Sequence, residues 1–228
     1  MPAPTTLTVD VVSDVVCPWC FIGKRQLETA LERWRADHPE AGEPLLRWHP
    51  FQLNPDMPAA GMERAEYLRR KFGNPTGAGI YERVRAAARE VGLELALDAI
   101  RRQPNTLAAH ALVAQAGQRG DLPLATALKE ALFVAYFQEG RDLSDDAVLR
   151  EIARGSGLDD AAIDAALDDG STADEVARAD RDLRAQGISG VPLFVFSAGK
   201  RQAAVSGAQG PAALRAAIDR VLEPSAEG

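Results

Sequence analysis

The 228-residue chain is poor in the residues that build metal sites and disulfide frameworks, with only two cysteines and three histidines. A C-x-x-C half of a zinc site needs two further ligands, and the histidines show no His-x(3–5)-His spacing, so the sequence disfavours zinc or any other bound metal. Two cysteines are also too few for a disulfide-stapled scaffold. The hydrophobic content of 46% is high enough to bury a core without one.

The chain also lacks long apolar runs and blocks of basic residues. No apolar run approaches the roughly 18 to 20 residues that span a bilayer, so a membrane is not an expected partner. With a net charge of −7 and no Lys or Arg block, nucleic acid is not an expected partner either. Residues Met1 to Thr6 lack the basic and apolar regions of a signal peptide, which predicts a cytoplasmic location.

Both cysteines lie in one tetrapeptide, Cys17-Pro18-Trp19-Cys20. It follows a β-type run and begins a helical pattern, with Pro18 suited to the first helical position. Two thiols on one helical turn can close reversibly into a disulfide, and a helix N-terminus stabilises a thiolate. The spacing therefore predicts a redox couple. Two other interpretations remain open, namely a structural disulfide, which would close a very small loop and stabilise little, and a pair of inert buried thiols.

The hydrophobic pattern divides the chain into three parts. Strands are predicted at 7–12 and 45–51 with a helix between them, which favours a right-handed crossover and parallel pairing. An Ala-rich helical stretch without a convincing strand covers about 64–167, where Ser144 and Asp159 are predicted helix caps. The last part reads as helix, strand, strand, helix. It has a predicted capping box at 172–175, a helix end at Gly187, strands at 191–196 and 203–206, and a helix at 211–221.

This order and several segments resemble the DsbA family of thiol-disulfide oxidoreductases, and within it the FrnE-like branch. The similarity spans about residues 7–222, and its most specific feature is Cys-Pro-Trp-Cys followed by Gly190-Val191-Pro192. The supporting segments are 14–24, 51–55, Asn105-Thr106, 135–137, 187–194 and 206–209. Some relatives carry additional cysteines, which this chain does not have.

The resemblance implies an α/β thioredoxin fold with an inserted all-helical domain. The expected limits are 1–62 for the first half of the thioredoxin domain, 63–171 for the helical domain and 172–228 for the second half. In that arrangement Cys17 is the exposed, attacking nucleophile and Cys20 is the more buried, resolving thiol. No organic cofactor is implied.

The resemblance also implies a substrate-binding element opposite the cysteines. The Val191-Pro192 bond is expected to be cis and to lie beside the thiols, so that the Val191 backbone could pair with an extended substrate. Pro18 and Trp19 are expected to tune the redox potential. Trp19 is expected to be partly exposed, and its indole either contacts substrate or has a packing role. Asp14 is a secondary candidate, as a proton acceptor or as a hydrogen-bonding residue of the loop.

Six other polar residues in or near these segments have simpler interpretations. His49 in the second strand and His110 in the helical stretch are interpreted as structural, and Asn105-Thr106 as a loop and helix cap. Lys24 and Arg25 are interpreted as solvated positions of the first helix that could assist an anionic substrate such as glutathione.

The leading hypothesis is a disulfide reductase or isomerase that acts on disulfide-containing proteins or glutathione-like substrates. The alternative is a glutathione-dependent isomerase or transferase of the kappa-like or 2-hydroxychromene-2-carboxylate isomerase type. Those proteins typically carry serine where this chain has Cys17 and lack the second cysteine. A third, noncatalytic hypothesis is a chaperone that binds peptides in the cleft between domains.

Overall fold

The computed structural model describes residues 6–74, 76 and 79–223. The prediction of a cytoplasmic location was based on Met1 to Thr6, and residues 1–5 of that segment lie outside the described range. The strands are β1 (Thr8–Ser13), β2 (Leu45–Pro50), β3 (Met62–Glu63), β4 (Arg102–Gln103), β5 (Leu193–Ala198) and β6 (Arg201–Ser206). Four of them form a mixed sheet in the order β2–β1–β5–β6.

The sheet confirms the predicted opening of the chain. β1 and β2 pair in parallel, with Val11 opposite Trp48, while β5 pairs antiparallel with both β1 and β6. β5 begins two residues later than predicted, at Leu193, because the cis Val191–Pro192 bond precedes the strand. β1 therefore lies at the centre of the sheet, and the loop that follows it carries the cysteines.

The helices are α1 (Pro18–Asp37), α2 (Arg64–Phe72), α3 (Ile80–Glu90), α4 (Leu107–Gln118), α5 (Leu122–Phe137), α6 (Asp146–Ser156), α7 (Asp160–Leu167), α8 (Ser171–Ala185) and α9 (Pro211–Leu222). A short 3-10 turn covers Leu97–Ala99. α1 and α9 pack against each other, α9 also packs on β5 and β6, and α4, α5 and α8 contact β2. α2 to α7 lie in the segment predicted to be the helical insert.

Three details of the helical part differ from the sequence predictions. The N-cap of α6 is Asp145, whose carboxylate accepts a hydrogen bond from the Ala147 amide at 2.9 Å, and not Ser144. The predicted capping box is wrong because α8 begins at Ser171, after Gly170, and the Thr172 hydroxyl lies 3.3 Å from Gln115 Oε1 instead of capping the helix. The two-residue strands β3 and β4 pair where no strand was predicted.

Two other predicted helix ends are confirmed. Asp159 caps α7 by accepting a hydrogen bond from the Ala162 amide at 2.8 Å. Gly187, at φ 89°, follows the end of α8 in the left-handed conformation that favours glycine. The domain limits at 62/63 and 171/172 stay a prediction, since α8 contacts both the insert helices and β2.

Two apolar clusters form the interior. The sheet cluster lies between the sheet, α1 and α9 and comprises Leu7, Val9, Val11, Leu27, Ala30, Leu31, Trp34, Phe194, Phe196, Ala198, Leu214, Ala217, Ile218 and Val221. The insert cluster joins the buried faces of α2 to α8 to the start of α1, and it includes Val15, Val16, Cys17, Cys20, Phe21, Leu128, Phe133, Tyr136 and Phe137. The cysteines thus lie where the insert packs against the sheet unit.

A polar contact fixes α8 to the end of β2 beside the same boundary. The buried Asp180 carboxylate accepts hydrogen bonds from the Gln52 amide and from Arg184, both at 2.9 Å. The Arg184 guanidinium lies over the Phe51 ring at 4.1 Å and also donates to the Gln52 carbonyl. These contacts hold the loop after β2, whose next residue, Leu53, reaches the loop that carries the cysteines.

Candidate active site

Cys17 is the N-cap of α1 and Cys20 lies within the first turn. Cys17 has extended backbone angles, Pro18 follows at the first helical position, and the Cys20 amide donates to the Cys17 carbonyl at 3.0 Å. Both cysteines are free thiols. The two sulfurs therefore share one helical turn at the positive end of a 20-residue helix.

The expectation that Cys17 is exposed is wrong. Cys17 is 4% exposed and Cys20 is 2% exposed, so both are buried. Cys17 is covered because its thiol faces the Val191 carbonyl, with 3.7 Å between sulfur and oxygen, and because its other side joins the insert cluster. The attacking and resolving roles consequently cannot be assigned from exposure.

The Val191–Pro192 segment lies directly beside Cys17. Its peptide bond is cis, as the resemblance implies, and the Pro192 carbonyl accepts a hydrogen bond from the Gly207 amide at 2.7 Å. Val191 is half-buried and Pro192 is buried, so Val191 is the more accessible residue of the two. On the cysteine side, Pro18 is half-buried and Trp19 is 38% exposed. Pro18 and Trp19 follow Cys17 along the chain, and the Val191 carbonyl faces its thiol.

Asp14 is fully buried three residues before Cys17 and acts as the hydrogen-bonding centre of the loop. Its carboxylate accepts a hydrogen bond from the Leu53 amide at 2.7 Å and another from His110 Nε2 at 3.3 Å. Burial alone would raise the pKa of Asp14. The His110 contact, the Leu53 amide and the Lys129 charge outweigh burial and hold its pKa below the ordinary value. Asp14 is therefore a buried carboxylate that is ionised at neutral pH.

His110 lies on α4 and is buried together with this carboxylate. Burial lowers the pKa of His110, the Lys129 charge lowers it further, and the Asp14 and Asp180 charges oppose the shift. The imidazole is consequently neutral at pH 7, and its Nε2–H donates to Asp14. The interpretation of His110 as structural left out this contact with the cysteine loop.

Lys129 on α5 is the second unexpected residue of the site. Its side chain is buried, and its ammonium group donates to the Ser13 carbonyl at 3.4 Å. The same nitrogen lies 5.4 Å from the centre of the Phe133 ring and 5.7 Å from that of Trp48. A charge contributed by the insert thus reaches the end of β1, four residues before Cys17.

The charge states of the buried groups are linked. Burial lowers the pKa of Lys129 to about 8, although the charges of Cys20, Asp14 and Cys17 favour its protonated form. Burial and the hydrogen bond with Cys17 raise the pKa of the Cys20 thiol well above its usual value, against the opposing effects of the Asp14 backbone and the Lys129 charge. Cys20 is therefore a protonated thiol at neutral pH.

The signal that would have found Lys129 is its position on α5. Ala125, Lys129, Leu132 and Tyr136 recur at i, i+4, i+7 and i+11, so the lysine lies on the apolar stripe of the helix. A lysine is almost never fully buried without a reason, and this position indicates burial. His110 has a weaker signal, because α4 is apolar on nearly every side.

Lys24 and Arg25 are not the solvated positions predicted. The Lys24 side chain is only 5% exposed and pairs with Glu28 and, at 2.7 Å, with Glu130 on α5. Arg25 is paired with the same two carboxylates, at 2.7 Å from Glu28. The two cations join α1 to the insert, so their charges are already compensated.

His49 lies apart from the cysteines, as its structural interpretation requires. Its Nε2 pairs with Asp10 on the neighbouring strand at 2.7 Å. Within residues 6–74, 76 and 79–223, no group of three His, Cys, Asp or Glu side chains is arranged to hold a metal ion. In the same part of the chain, no helix combines the length and the apolar character of a membrane span.

The structure has a four-stranded mixed sheet with α1 and α9, a helical insert between β2 and β5, and a Cys-x-x-C pair at the start of α1. Together these features define a thioredoxin-type oxidoreductase fold with an inserted helical domain. Residues 8–219 match the model of the DSBA-like thioredoxin domain. The chain belongs to this family.

Solved structures agree with the assignment. A probable DsbA oxidoreductase from Streptomyces coelicolor is 30% identical, with 94% of this chain and 89% of that chain covered and a TM-score of 0.78. The cytosolic disulfide reductase DsbM from Pseudomonas aeruginosa, solved with GSH, is 20% identical over 95% of this chain and all of its own, with a TM-score of 0.66. A 2-hydroxychromene-2-carboxylate isomerase shares the fold at 14% identity and a TM-score of 0.62, over 93% of this chain and 95% of its own.

Proposed function

We propose that the protein is a thiol-disulfide oxidoreductase of the reductase or isomerase type, with Cys17 as the nucleophile and Cys20 as the resolving thiol. The observation that carries the proposal is the pair of free thiols on the first turn of α1, with Cys17 facing the Val191 carbonyl. Cys17 is given the attacking role because it stands at the N-cap, where the helix dipole stabilises a thiolate, and because the half-buried Pro18 and Val191 lie next to it.

The reaction balances with a substrate disulfide as the oxidant. The Cys17 thiolate attacks one substrate sulfur, the substrate S–S bond breaks, and the first product thiolate leaves with its electron pair. Cys20 then loses its proton and attacks the Cys17 sulfur of the mixed disulfide. The second product thiolate leaves, and the Cys17–Cys20 disulfide forms. An external dithiol or two molecules of a thiol such as glutathione must reduce the pair again.

The substrate is expected to bind across the Val191 backbone. Val191 is half-buried beside the thiol and Trp19 is exposed within the Cys-x-x-C turn, so an extended segment could pair with Val191 while its disulfide reaches Cys17. Pro18 and Pro192 complete this binding surface. Asp14 is proposed to order the loop before Cys17 and to give that loop a buried negative charge, since its carboxylate is buried and accepts hydrogen bonds from Leu53 and His110.

Disulfide-containing proteins and glutathione-like compounds are the proposed substrates, with no resident cofactor and no nucleic-acid or membrane partner. We also propose a cytoplasmic location, where a reducing glutathione pool favours reduction and isomerisation over net oxidation. The cytosolic location stated for the DsbM neighbour supports this location. The FrnE-like branch likewise remains a proposal, based on the sequence segments named above.

The glutathione-dependent isomerase is the weaker candidate. Those enzymes typically carry serine at the position of Cys17 and lack the second cysteine, whereas this chain has both thiols on one turn. Likeness at 14% identity concerns the fold alone. A peptide-binding chaperone that needs no thiol would keep its activity after replacement of both cysteines.

The test is reduction of insulin and of glutathione disulfide by the wild type, Cys17→Ser, Cys20→Ser and the double variant. We expect Cys17→Ser to abolish turnover and Cys20→Ser to accumulate mixed disulfides with substrate, visible on a nonreducing gel and removed by dithiothreitol. The double variant is the matched control and should trap nothing. Normal turnover by Cys17→Ser would exclude the proposed nucleophile. Isomerase activity that survives the loss of Cys20 would favour the alternative.

A further inference from the structure

His110 belongs to the helical insert, yet its side chain reaches the loop that carries the cysteines. It is the fourth residue of α4, and its Nε2 lies 3.3 Å from Asp14 Oδ1, directly after β1. The side chains are 2% and 0% exposed, so the contact is shielded from water. An ionised carboxylate can only accept, so the imidazole donates this hydrogen bond. The insert is therefore joined to the residue three positions before Cys17.

Asp14 passes this restraint on to Cys17 through its backbone. The Asp14 carbonyl accepts a hydrogen bond from the Cys17 amide at 3.2 Å. The second carboxylate oxygen of Asp14 accepts one from the Leu53 amide at 2.7 Å. One residue thus holds three segments together, which are the cysteine loop, the loop after β2, and α4. A carboxylate held at both oxygens fixes the Asp14 side chain and so restricts the turn in which its carbonyl binds Cys17.

α4 itself is held in place by a further contact at its start. Asn105, two residues before α4, accepts a hydrogen bond from Gln52 Nε2 at 3.3 Å and donates to the Met57 carbonyl at 2.6 Å. Both partners belong to the loop after β2. α4 is therefore attached to that loop by Asn105 and to Asp14 by His110, about one helical turn further on. Two attachments restrict rotation of the helix, so the imidazole of His110 has a defined position.

We infer that His110 is a positioning residue for disulfide exchange, because it fixes Asp14 and thereby the Cys17 amide. This inference rests on the proposed function. The Cys17 sulfur lies 3.7 Å from the Val191 carbonyl oxygen, beside the backbone on which the substrate is proposed to bind. Loss of the His110 hydrogen bond leaves one oxygen of a buried carboxylate unpaired, and the turn that holds Cys17 must adjust. The sulfur is then displaced from a bound disulfide, although every reacting group is still present.

The test replaces His110 by glutamine and by asparagine and measures the reduction of insulin. The amide nitrogen of glutamine reaches about as far as Nε2, whereas that of asparagine ends near the position of Nδ1, so only glutamine can keep the donor to Asp14. We expect His110→Gln to keep kcat within about threefold of wild type and His110→Asn to lower it about tenfold, since small displacements of a reacting atom cost large factors in rate. Circular dichroism verifies that equal amounts of folded protein are compared. Equal rates of the two variants would overturn the inference.

A double variant tests whether His110 acts through Asp14. His110→Asn and Asp14→Ala remove the same hydrogen bond from its two ends. The double variant should therefore reduce insulin no more slowly than the slower of the two single variants, because one restraint can be lost only once. Slowing by the product of the two single effects would show that His110 acts independently of Asp14 and would overturn the inference.

The matched control is a second His–Asp pair on the same strand. His49 Nε2 lies 2.7 Å from Asp10 Oδ1, in the middle of β1 and away from the cysteine loop. His49→Asn should leave the reduction of insulin unchanged. Slowing equal to that of His110→Asn would overturn the specific role of His110. A wild type that does not reduce insulin would overturn the proposed function and this inference with it, whereas equal His110 variants of an active wild type overturn the inference alone.

A measurement on the wild type covers the case in which His110→Asn does not fold. NMR of protein labelled with ¹⁵N-histidine should show His110 as the Nε2–H tautomer. Closing the Cys17–Cys20 disulfide should shift the His110 resonances more than those of His49, because it moves the turn that the Asp14 carbonyl holds. Identical His110 resonances in the reduced and oxidised protein would contradict the inference.

Discussion

The two interior clusters of this molecule are built from similar apolar residues but differ in what lies beside them. In the sheet cluster, strand residues such as Val9 and Phe196 pack against α1 and α9, and no cysteine takes part. The insert cluster contains both thiols, and the buried polar groups Asp14, His110 and Lys129 lie around it. The difference indicates that the sheet unit supplies the thiols and the Asp14 carboxylate, while the insert adds His110 and Lys129 to their surroundings.

The largest expected effect compares the two clusters directly through Phe133→Ala and Phe196→Ala. Both rings are fully buried, so each truncation should lower the free energy of unfolding by about 3–5 kcal/mol in a urea titration. Phe133 also stacks at 5.0 Å on Phe21, the residue after Cys20, so its loss should additionally slow the reduction of insulin.

Phe196→Ala should cost similar stability without changing the reduction of insulin, measured where both variants remain folded. Equal slowing by both truncations would break the comparison, because the sheet cluster would then influence the thiols as strongly as the insert cluster does.

Asp14→Asn tests the buried charge at the boundary between the parts. The amide keeps the shape but removes the anion that accepts from Leu53 and His110, so the free energy of unfolding should fall by about 2–3 kcal/mol at pH 7. The pKa of Asp14 is lowered in the folded state, so its stabilisation is present at neutral pH and is lost as pH falls through that value.

The difference between wild type and Asp14→Asn should therefore shrink below about pH 4. Urea titrations of both proteins at neutral and acidic pH measure it. A difference that is constant across this range would show that the Asp14 carboxylate does not carry the stabilisation.

The sequence was informative where a local pattern has one physical interpretation. Alternating β-branched residues predicted β1, Pro18 after Cys17 predicted the start of α1, and Asp159 predicted the cap of α7. The resemblance to a family supplied the cis bond at Pro192, which no spacing rule could have given.

The sequence was uninformative where distant segments decide the environment of a residue. Lys129 is 112 positions from Cys17 along the chain, and charged residues are ordinarily solvated, so its approach to the loop before Cys17 could not be inferred from spacing. The expected exposure of Cys17 failed for the same reason, because the Val191 segment, 174 residues away, covers the sulfur.

Gly23→Ala tests how closely α1 approaches the strand that follows Val191. A Cβ at this position would lie 3.0 Å from Phe194 Cζ and 3.1 Å from Pro192 Cγ, so either the helix or the proline must shift. We expect a loss of about 1–2 kcal/mol in the free energy of unfolding, since overpacking exceeds the helix-propensity gain of alanine. Turnover of insulin should also fall.

Gly155→Ala is the matched control in the insert, because Gly155 is in α6 and a Cβ there meets nothing within 4 Å. Alanine at this exposed helical position should stabilise the protein by about 0.5–1 kcal/mol and leave turnover unchanged. Stabilisation by Gly23→Ala instead would mean that α1 has room to move away from Pro192.

The smallest effect is expected at the start of α6, on a part of the insert that does not reach the thiols. The Asp145 carboxylate accepts the Ala147 amide, so Asp145→Ala should cost about 1 kcal/mol by loss of a cap, measured by urea unfolding. Ser144 donates to Asp142 at 2.5 Å and caps nothing, so Ser144→Ala should cost less. Neither variant should change the reduction of insulin. A larger loss of stability from Ser144→Ala than from Asp145→Ala would indicate that Ser144 caps α6, as the sequence predicted. Slower reduction of insulin by Asp145→Ala would mean that the insert influences the thiols as a whole, and not only through the α4 and α5 residues at the boundary.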